Sequence, residues 1–305
     1  MARSAHVIGI GFPKAATTYI SRILASHPQI SFSERKETHF FEKNEFMHSN
    51  VSKLEQSYSK FWPQFNPIVH RARVEWTTTY ITNHSAIAAI AYFYKQRNPP
   101  LFLVAVRNPI DSALSNYFYR RMALNSDAAI RTQKECFISQ PEIFIAPYQY
   151  NRHYVNFRSF FPDAQVILIP QNGLANNPDN LFVQLFDALH LSAWSGWTKI
   201  PYTNVSYPYR SRTIDRLIRW ILVHSVGDAR SQDLYRLPNY AKPTLLRAIH
   251  SINQKPYAWE SGVQKIVSEQ LQQDFNDFVD TVEQDANCLI LGTKSDLIKK
   301  FGDSS

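Results

Sequence analysis

The period of the hydrophobic positions changes several times along the chain. The run His6-Val7-Ile8-Gly9-Ile10 is apolar and partly β-branched, and it breaks at Gly11 and Pro13. Beyond Lys14 the apolar positions Ile20, Ile23 and Leu24 fall at helical spacing. This segment predicts a strand, a tight loop and a helix. Ser26-His27-Pro28 stops the helix, and Ile30 to Phe32 reads as a short strand. Residues 42–66 have weak periodicity and predict an excursion containing one helix, after which Val69 to Trp76 predicts a strand and Ser85 to Tyr94 a helix. Leu101 to Val106 is continuously apolar, as a central parallel strand should be. Arg107-Asn108-Pro109 ends it, and Asp111 stands where it can cap a helix reaching Met122. A helix that includes Tyr154 to Phe160 leads to a second such strand, Val166 to Ile169. A last amphipathic helix sets Val263, Val267, Leu271, Phe275 and Phe278 on one side. Strands alternating with helices predict an α/β fold of three layers, P-loop-type, with a central mainly parallel sheet flanked by helices.

Composition narrows this picture. The 305 residues are 44% hydrophobic and 14% aromatic, which excludes global disorder. No linker rich in Gly or Ser divides the chain, so residues 1–292 are expected to form one domain and 293–305 a frayed tail. Cys136 and Cys288 form no metal knuckle and no disulfide framework, and no apolar run approaches the roughly 18 residues that span a bilayer. A cytoplasmic setting is the expectation. The net charge of +8 favours anionic ligands, and Tyr207 to His250 contributes much of it with eight Lys/Arg against three Asp/Glu. In that segment Ile214, Leu217, Ile218, Ile221 and Leu222 keep helical spacing, read as a helix with its apolar face in the core and alternatively as a membrane-surface helix.

The chemistry-bearing residues cluster at strand ends. A loop of this kind between strand and helix aims backbone N–H groups, the helix dipole, the Lys14 ammonium and the Thr17 and Thr18 hydroxyls at one small volume that suits an oxyanion. It is not a Walker A loop, because Lys14 precedes Ala15-Ala16-Thr17-Thr18 rather than following a second glycine. The plainer reading is an ordinary turn with a solvated Lys. Arg107, at a strand's carboxyl end, and Ser115 on the next helix can form a second oxyanion site, unless Arg107 simply pairs with Asp111. Two anion sites on one sheet edge imply a ligand with two separated phosphates.

Three segments, Pro13-Lys14-Ala15-Ala16-Thr17-Thr18, Lys36-Glu37-Thr38-His39-Phe40-Phe41 and Arg107-Asn108-Pro109 through Ser115-Asn116-Tyr117, resemble the sulfotransferases that use 3′-phosphoadenosine 5′-phosphosulfate (PAPS). The branch they resemble is the carbohydrate, heparan-sulfate-type and bacterial soluble one, and Phe161-Pro162-Asp163 and Asn177-Pro178 extend the likeness to about residue 190. The resemblance implies sulfuryl transfer to a hydroxyl of a glycan or small molecule. It implies that Lys14, Ala15, Ala16, Thr17 and Thr18 hold the 5′-phosphosulfate and that Arg107 and Ser115 hold the 3′-phosphate. Glu37 falls at the catalytic base, Lys14 would stabilise the leaving phosphate, and His39 neighbours the site. No metal is expected. A structural ion pair of Glu37 with Lys36 or Arg35, and a hydrogen-bonding or core role for His39, are the plainer alternatives.

The chain departs from that family in three places. Ala16 stands where the family usually has Gly, so its backbone is expected to avoid positive φ. Trp76, in Glu75-Trp76-Thr77-Thr78-Thr79-Tyr80, stands where the branch has a second Lys; its ring is free to stack on adenine or acceptor, and Lys36 or an Arg of the basic segment could supply the charge. Ser112 replaces a residue that is often basic. The aromatic, Arg-rich stretch within about 192–240 is expected to form an acceptor cleft or a lid. Competing functions are an ATP-dependent P-loop kinase, a degenerate nucleotide-binding protein, and a nucleic-acid-binding module, though no nucleic-acid recognition motif is present. Oligomeric state is not readable from the sequence.

Overall fold

The computed structural model of the chain describes residues 5–43, 46, 50–122, 131–200, 213–214 and 258–297. Six parallel strands form one sheet: β1 (Ala5–Gly11), β2 (Ile30–Phe32), β3 (Ala72–Trp76), β4 (Leu101–Val106), β5 (Val166–Pro170) and β6 (Cys288–Ile290). Their order is β2-β3-β1-β4-β5-β6. The chain thus builds outward from β1 to one edge, then returns to lay β4 against its other side. That reversal opens a crevice beyond the carboxyl ends of β1 and β4, where ligands of such sheets bind.

Alternation along the strands divides the core into two layers. Ile8, Ile10, Phe102, Val104, Val166 and Leu168 face the helices α3 (His84–Tyr94), α7 (Tyr150–Phe160) and α10 (Val263–Gln284). Val7, Val74, Leu103, Ala105, Ile167 and Ile169 face α1 (Thr17–Ser26) and α9 (Pro178–Ala188). Each Val, Leu, Ile or Phe among them, fully buried, contributes roughly 1.5–3 kcal/mol. The other α-helices among the described residues are α2 (Val51–Ser59), α4 (Pro109–Met122), α5 (Gln133–Ser139), α6 (Pro141–Phe144), α8 (Gln171–Asn176) and α11 (Lys294–Leu297).

The strand Leu101–Val106 and the helix ending at Tyr94 stand where the hydrophobic pattern puts them. Two expectations are corrected. Asn108, not Asp111, caps α4: its Oδ1 accepts the Ile110 and Asp111 N–H groups at 2.9 and 3.3 Å. With Pro109 at the first helical position, the cap must precede it. The strand expected from Val69 begins at Ala72, because Asn66 turns the chain first, accepting the Ile68 N–H on Oδ1 and the Val69 and His70 N–H groups on its backbone oxygen. Within the expected frayed tail, Lys294–Leu297 form a short helix, tied down by buried Asp296, which accepts from Thr293 N–H at 2.9 Å and Asn176 at 2.8 Å. Among the described residues no helix is long and apolar enough to cross a membrane. The amphipathic helix read at 214–222 lies outside the described residues save Ile214.

Candidate active site

Close packing fixes the first loop. A Cβ on Gly11 would lie 2.3 Å from the Ile81 side chain, so only glycine fits where β1 ends. Phe12 then donates its N–H to Ala105 O on β4 at 2.8 Å and stacks on Tyr150 with ring centroids 4.0 Å apart. Lys14 and Ala16 both adopt left-handed backbone, φ 68° and 60°. The expectation that Ala16 avoids positive φ is therefore overturned, at a cost of about 1–2 kcal/mol for each such residue. The strain is offset by the turn it makes. Ala16 O accepts the Tyr19 and Ile20 N–H groups, opening α1, while no side chain caps the helix. A left-handed residue on either side of buried Ala15 aims successive amides into one concavity of the kind that receives anions.

Cations gather around that concavity. Burial first, and then the charges of Arg107 and Lys36, hold the Lys14 ammonium down to a pKa of about 7. Its Nζ lies 4.1 Å from the centre of the half-exposed Tyr119 ring on α4. Arg107 follows β4, the strand paired with β1, which is why its charge reaches Lys14. Among the described residues Arg107 and Asp111 form no ion pair, Ser115 is buried on α4, and Ser112 is buried accepting from the Tyr150 hydroxyl at 3.2 Å.

The second loop, residues 33–42, crosses the ends of β3 and β1. Ser33 N–H bonds Val74 O at 2.8 Å, and Trp76 N–H bonds Lys36 O at 3.2 Å. Phe40 and Phe41 are buried and anchor its far end in the core. Lys36 Nζ reaches across to Thr17 Oγ1 at 3.4 Å and pairs with Glu37 Oε1 at 2.7 Å. The ion pair weighed as the plain reading of Glu37 is thus present, and it lies beside the first loop rather than away from it. Thr78 Oγ1 donates to the same carboxylate oxygen at 3.3 Å, and His39 Nε2 lies 3.7 Å from Glu37 Oε2. His39 is half-exposed, with left-handed φ of 50°, and its Nδ1 meets Glu42 Oε2 at 2.7 Å. Thr79 Oγ1 donates to Glu42 in turn.

Trp76 does not reach the site. Its ring is wholly buried against Gly9, where an added Cβ would lie 2.2 Å from it, so it has no face left for adenine or acceptor. Among the described residues, Lys36, bonded through its backbone to Trp76, reaches the first loop instead, while the basic segment that could also supply an Arg lies outside them.

No protein-family model matches the sequence, and no curated protein matches it. Among solved structures, a sulfotransferase from Alicyclobacillus acidocaldarius superposes over all of its own length and 81% of this chain, with a TM-score of 0.50 at 19% identity. The chain has the sulfotransferase fold. Mouse sulfotransferase SULT7A1 complexed with PAP is a weaker likeness, with 14% identity over 89% of this chain and 90% of its own and a TM-score of 0.47. The sulfotransferase domain of the Synechococcus PCC 7002 olefin synthase gives 12% identity, 89% and 96% coverage and a TM-score of 0.45.

On this sulfotransferase fold, Lys14, Ala15, Ala16, Thr17, Thr18 and Arg107 lie in the loop after β1, the start of α1 or the β4–α4 connection, Ser115 lies on α4, and Glu37 and His39 lie on the loop whose Lys36 reaches Thr17. Sequence reading missed Glu42, Thr78 and Thr79, which hold His39 and Glu37 in place. The only local signals were the His39 to Glu42 spacing and a run of three threonines after a strand.

Proposed function

We propose that the protein transfers a sulfuryl group from PAPS to an acceptor hydroxyl, leaving adenosine 3′,5′-bisphosphate (PAP). The observation that carries this reading is the convergence of Lys14, Lys36 and Arg107 at the switch point, with a carboxylate, Glu37, among them. Two cations, Arg107 and Lys36, acting on the desolvated Lys14 ammonium favour an anionic occupant. The loop from Lys14 to Thr18 fits a 5′-phosphosulfate, and Arg107 with Ser115 fits a 3′-phosphate. Bound there, the donor supplies an activated sulfuryl group. Glu37 takes the acceptor's hydroxyl proton, a step worth typically 10²–10⁴-fold in rate. Lys14 and the loop amides meet the negative charge that grows on the leaving phosphate oxygen. Lys36 lies between the two and serves as the second cation. The acceptor is a glycan or a small alcohol, and the reaction needs no metal ion in this reading.

Replacing Arg107 tests the two-anion arrangement. Arg107→Ala should weaken PAP by about 10- to 100-fold, as loss of a charge-assisted contact does, and leave 5′-AMP nearly unchanged. An equal loss for both nucleotides would remove the 3′-phosphate site. Affinity for ATP that depends on Mg²⁺ and exceeds affinity for PAP would favour a kinase.

A further inference from the structure

Glu75 stands in the interior strand β3 with its carboxyl wholly buried, among hydroxyls rather than cations. Tyr58 donates to its Oε1 at 2.7 Å. Thr38 and Thr77, the latter at 3.3 Å, donate to its Oε2, and the Tyr80 hydroxyl joins them 3.0 Å from Thr38 Oγ1 and 3.5 Å from Oε2. Burial pushes the pKa of this carboxyl up to about 7 against the downward pull of the hydroxyls; in its ionised form it only accepts, so Tyr58, Thr38 and Thr77 each give their single hydrogen to it and turn their lone pairs outward. Those lone pairs receive the second loop. Thr77 Oγ1 accepts the N–H groups of Thr38 and His39 at 3.1 and 3.4 Å. Thr38 Oγ1 accepts that of Phe40 at 3.3 Å, and Tyr80 OH that of Phe41 at 3.4 Å. Four successive amides therefore hang on hydroxyls whose polarity one buried carboxylate sets.

We propose that Glu75 is the positioning residue for Glu37: by orienting these hydroxyls it holds the backbone of 38–41 and so aims Glu37 at the acceptor. Thr77 and Tyr80 belong to the same short run as Thr78 and Thr79, which grip Glu37 and Glu42 directly. Glu75 thus governs the loop's backbone while its sequence neighbours govern the side chains. The catalytic part of this proposal rests on the sulfuryl-transfer reading; the structural part does not.

Glu75→Gln keeps the shape but puts an NH₂ where an acceptor is required, forcing at least one hydroxyl to turn. Hydrogen exchange of the amides of 38–41 should accelerate at least about 10-fold in this variant while those of β1 and α1 stay unchanged. PAP affinity should stay within about twofold of the parent, and kcat should fall about 10- to 100-fold, the effect of a small misplacement of a reacting group. In a Glu37→Gln background the same change should cost less than about twofold more, because Glu75 acts through Glu37. Tyr80→Phe, which deletes one arm of the network and retains its packing, should show the same pattern at smaller size and serves if Glu75→Gln does not fold. Unchanged exchange in 38–41, or effects of Glu75 and Glu37 that multiply independently, would overturn the proposal. Absence of PAP binding and turnover in the parent would instead overturn the sulfuryl-transfer reading, with the exchange result still deciding whether Glu75 holds the loop.

Discussion

The loop of residues 11–18, proposed to hold the donor's phosphosulfate, and the loop of residues 33–42, which carries Glu37, meet where Lys36 Nζ touches Thr17 Oγ1, yet they are built by opposite means. The first is made of backbone: a glycine with no room for a Cβ, two left-handed residues and an uncapped helix start. Its polar groups are mostly amides, and its single side-chain charge is pushed down by burial and by other cations. The second is made of side chains, with hydroxyls of Thr77, Thr78, Thr79 and Tyr80 and the buried Glu75 holding it from another part of the chain. Backbone amides hold charge by geometry that few substitutions change. A hydroxyl network holds a base by the direction of each hydrogen, and one substitution can reverse it.

The sharpest way to break this division is at Lys14. Lys14→Ala should lower turnover about 10²–10³-fold, the usual effect of removing charge stabilisation at a leaving oxygen, while thermal unfolding shifts little. Near-normal turnover would take Lys14 out of the chemistry. Glu37→Gln should lower turnover by about 10²-fold and leave PAP affinity unchanged, since it removes the proton acceptor without touching the first loop. If both fell together, Glu37 would be a part of the anion site through Lys36. The smallest expected effect is in protons. Lys14 binds its proton less tightly in the folded protein than in the unfolded chain, so stability rises with pH between about 7 and its ordinary 10.5 and gains nothing from Lys14 below that window. An anion that restores the ammonium takes up a proton in the same window. PAP binding near pH 8.5 should therefore be accompanied by uptake approaching about one proton per site, and by much less near pH 6. Calorimetry in buffers of different ionisation enthalpy reads this directly.

The same division explains what the sequence made legible. The order of strands and helices follows from local periodicity, and the first loop from Gly11, Pro13, Lys14 and two threonines set between a strand and a helix. Ala16 misled, because alanine usually avoids the left-handed conformation that this turn imposes. Trp76 misled in the other direction: an aromatic ring at a strand's end reads as a ligand platform, but opposite Gly9 the ring has a cavity to fill. The support of Glu37 was not legible, since Thr78 and Glu37 are 41 positions apart and Thr79 and Glu42 are 37 apart. The parallel pairing of β2 with β3 brings them together. Strand β6 escaped because it is three residues long and half-exposed.

The most direct test of the account is calorimetric titration of the full chain with PAP against 5′-AMP. Two anion sites at the switch point predict micromolar or tighter PAP binding and at least about 10-fold weaker binding of 5′-AMP, as expected when one charge-assisted phosphate contact is lost. Equal affinity for the two nucleotides, or no binding of PAP, would contradict it.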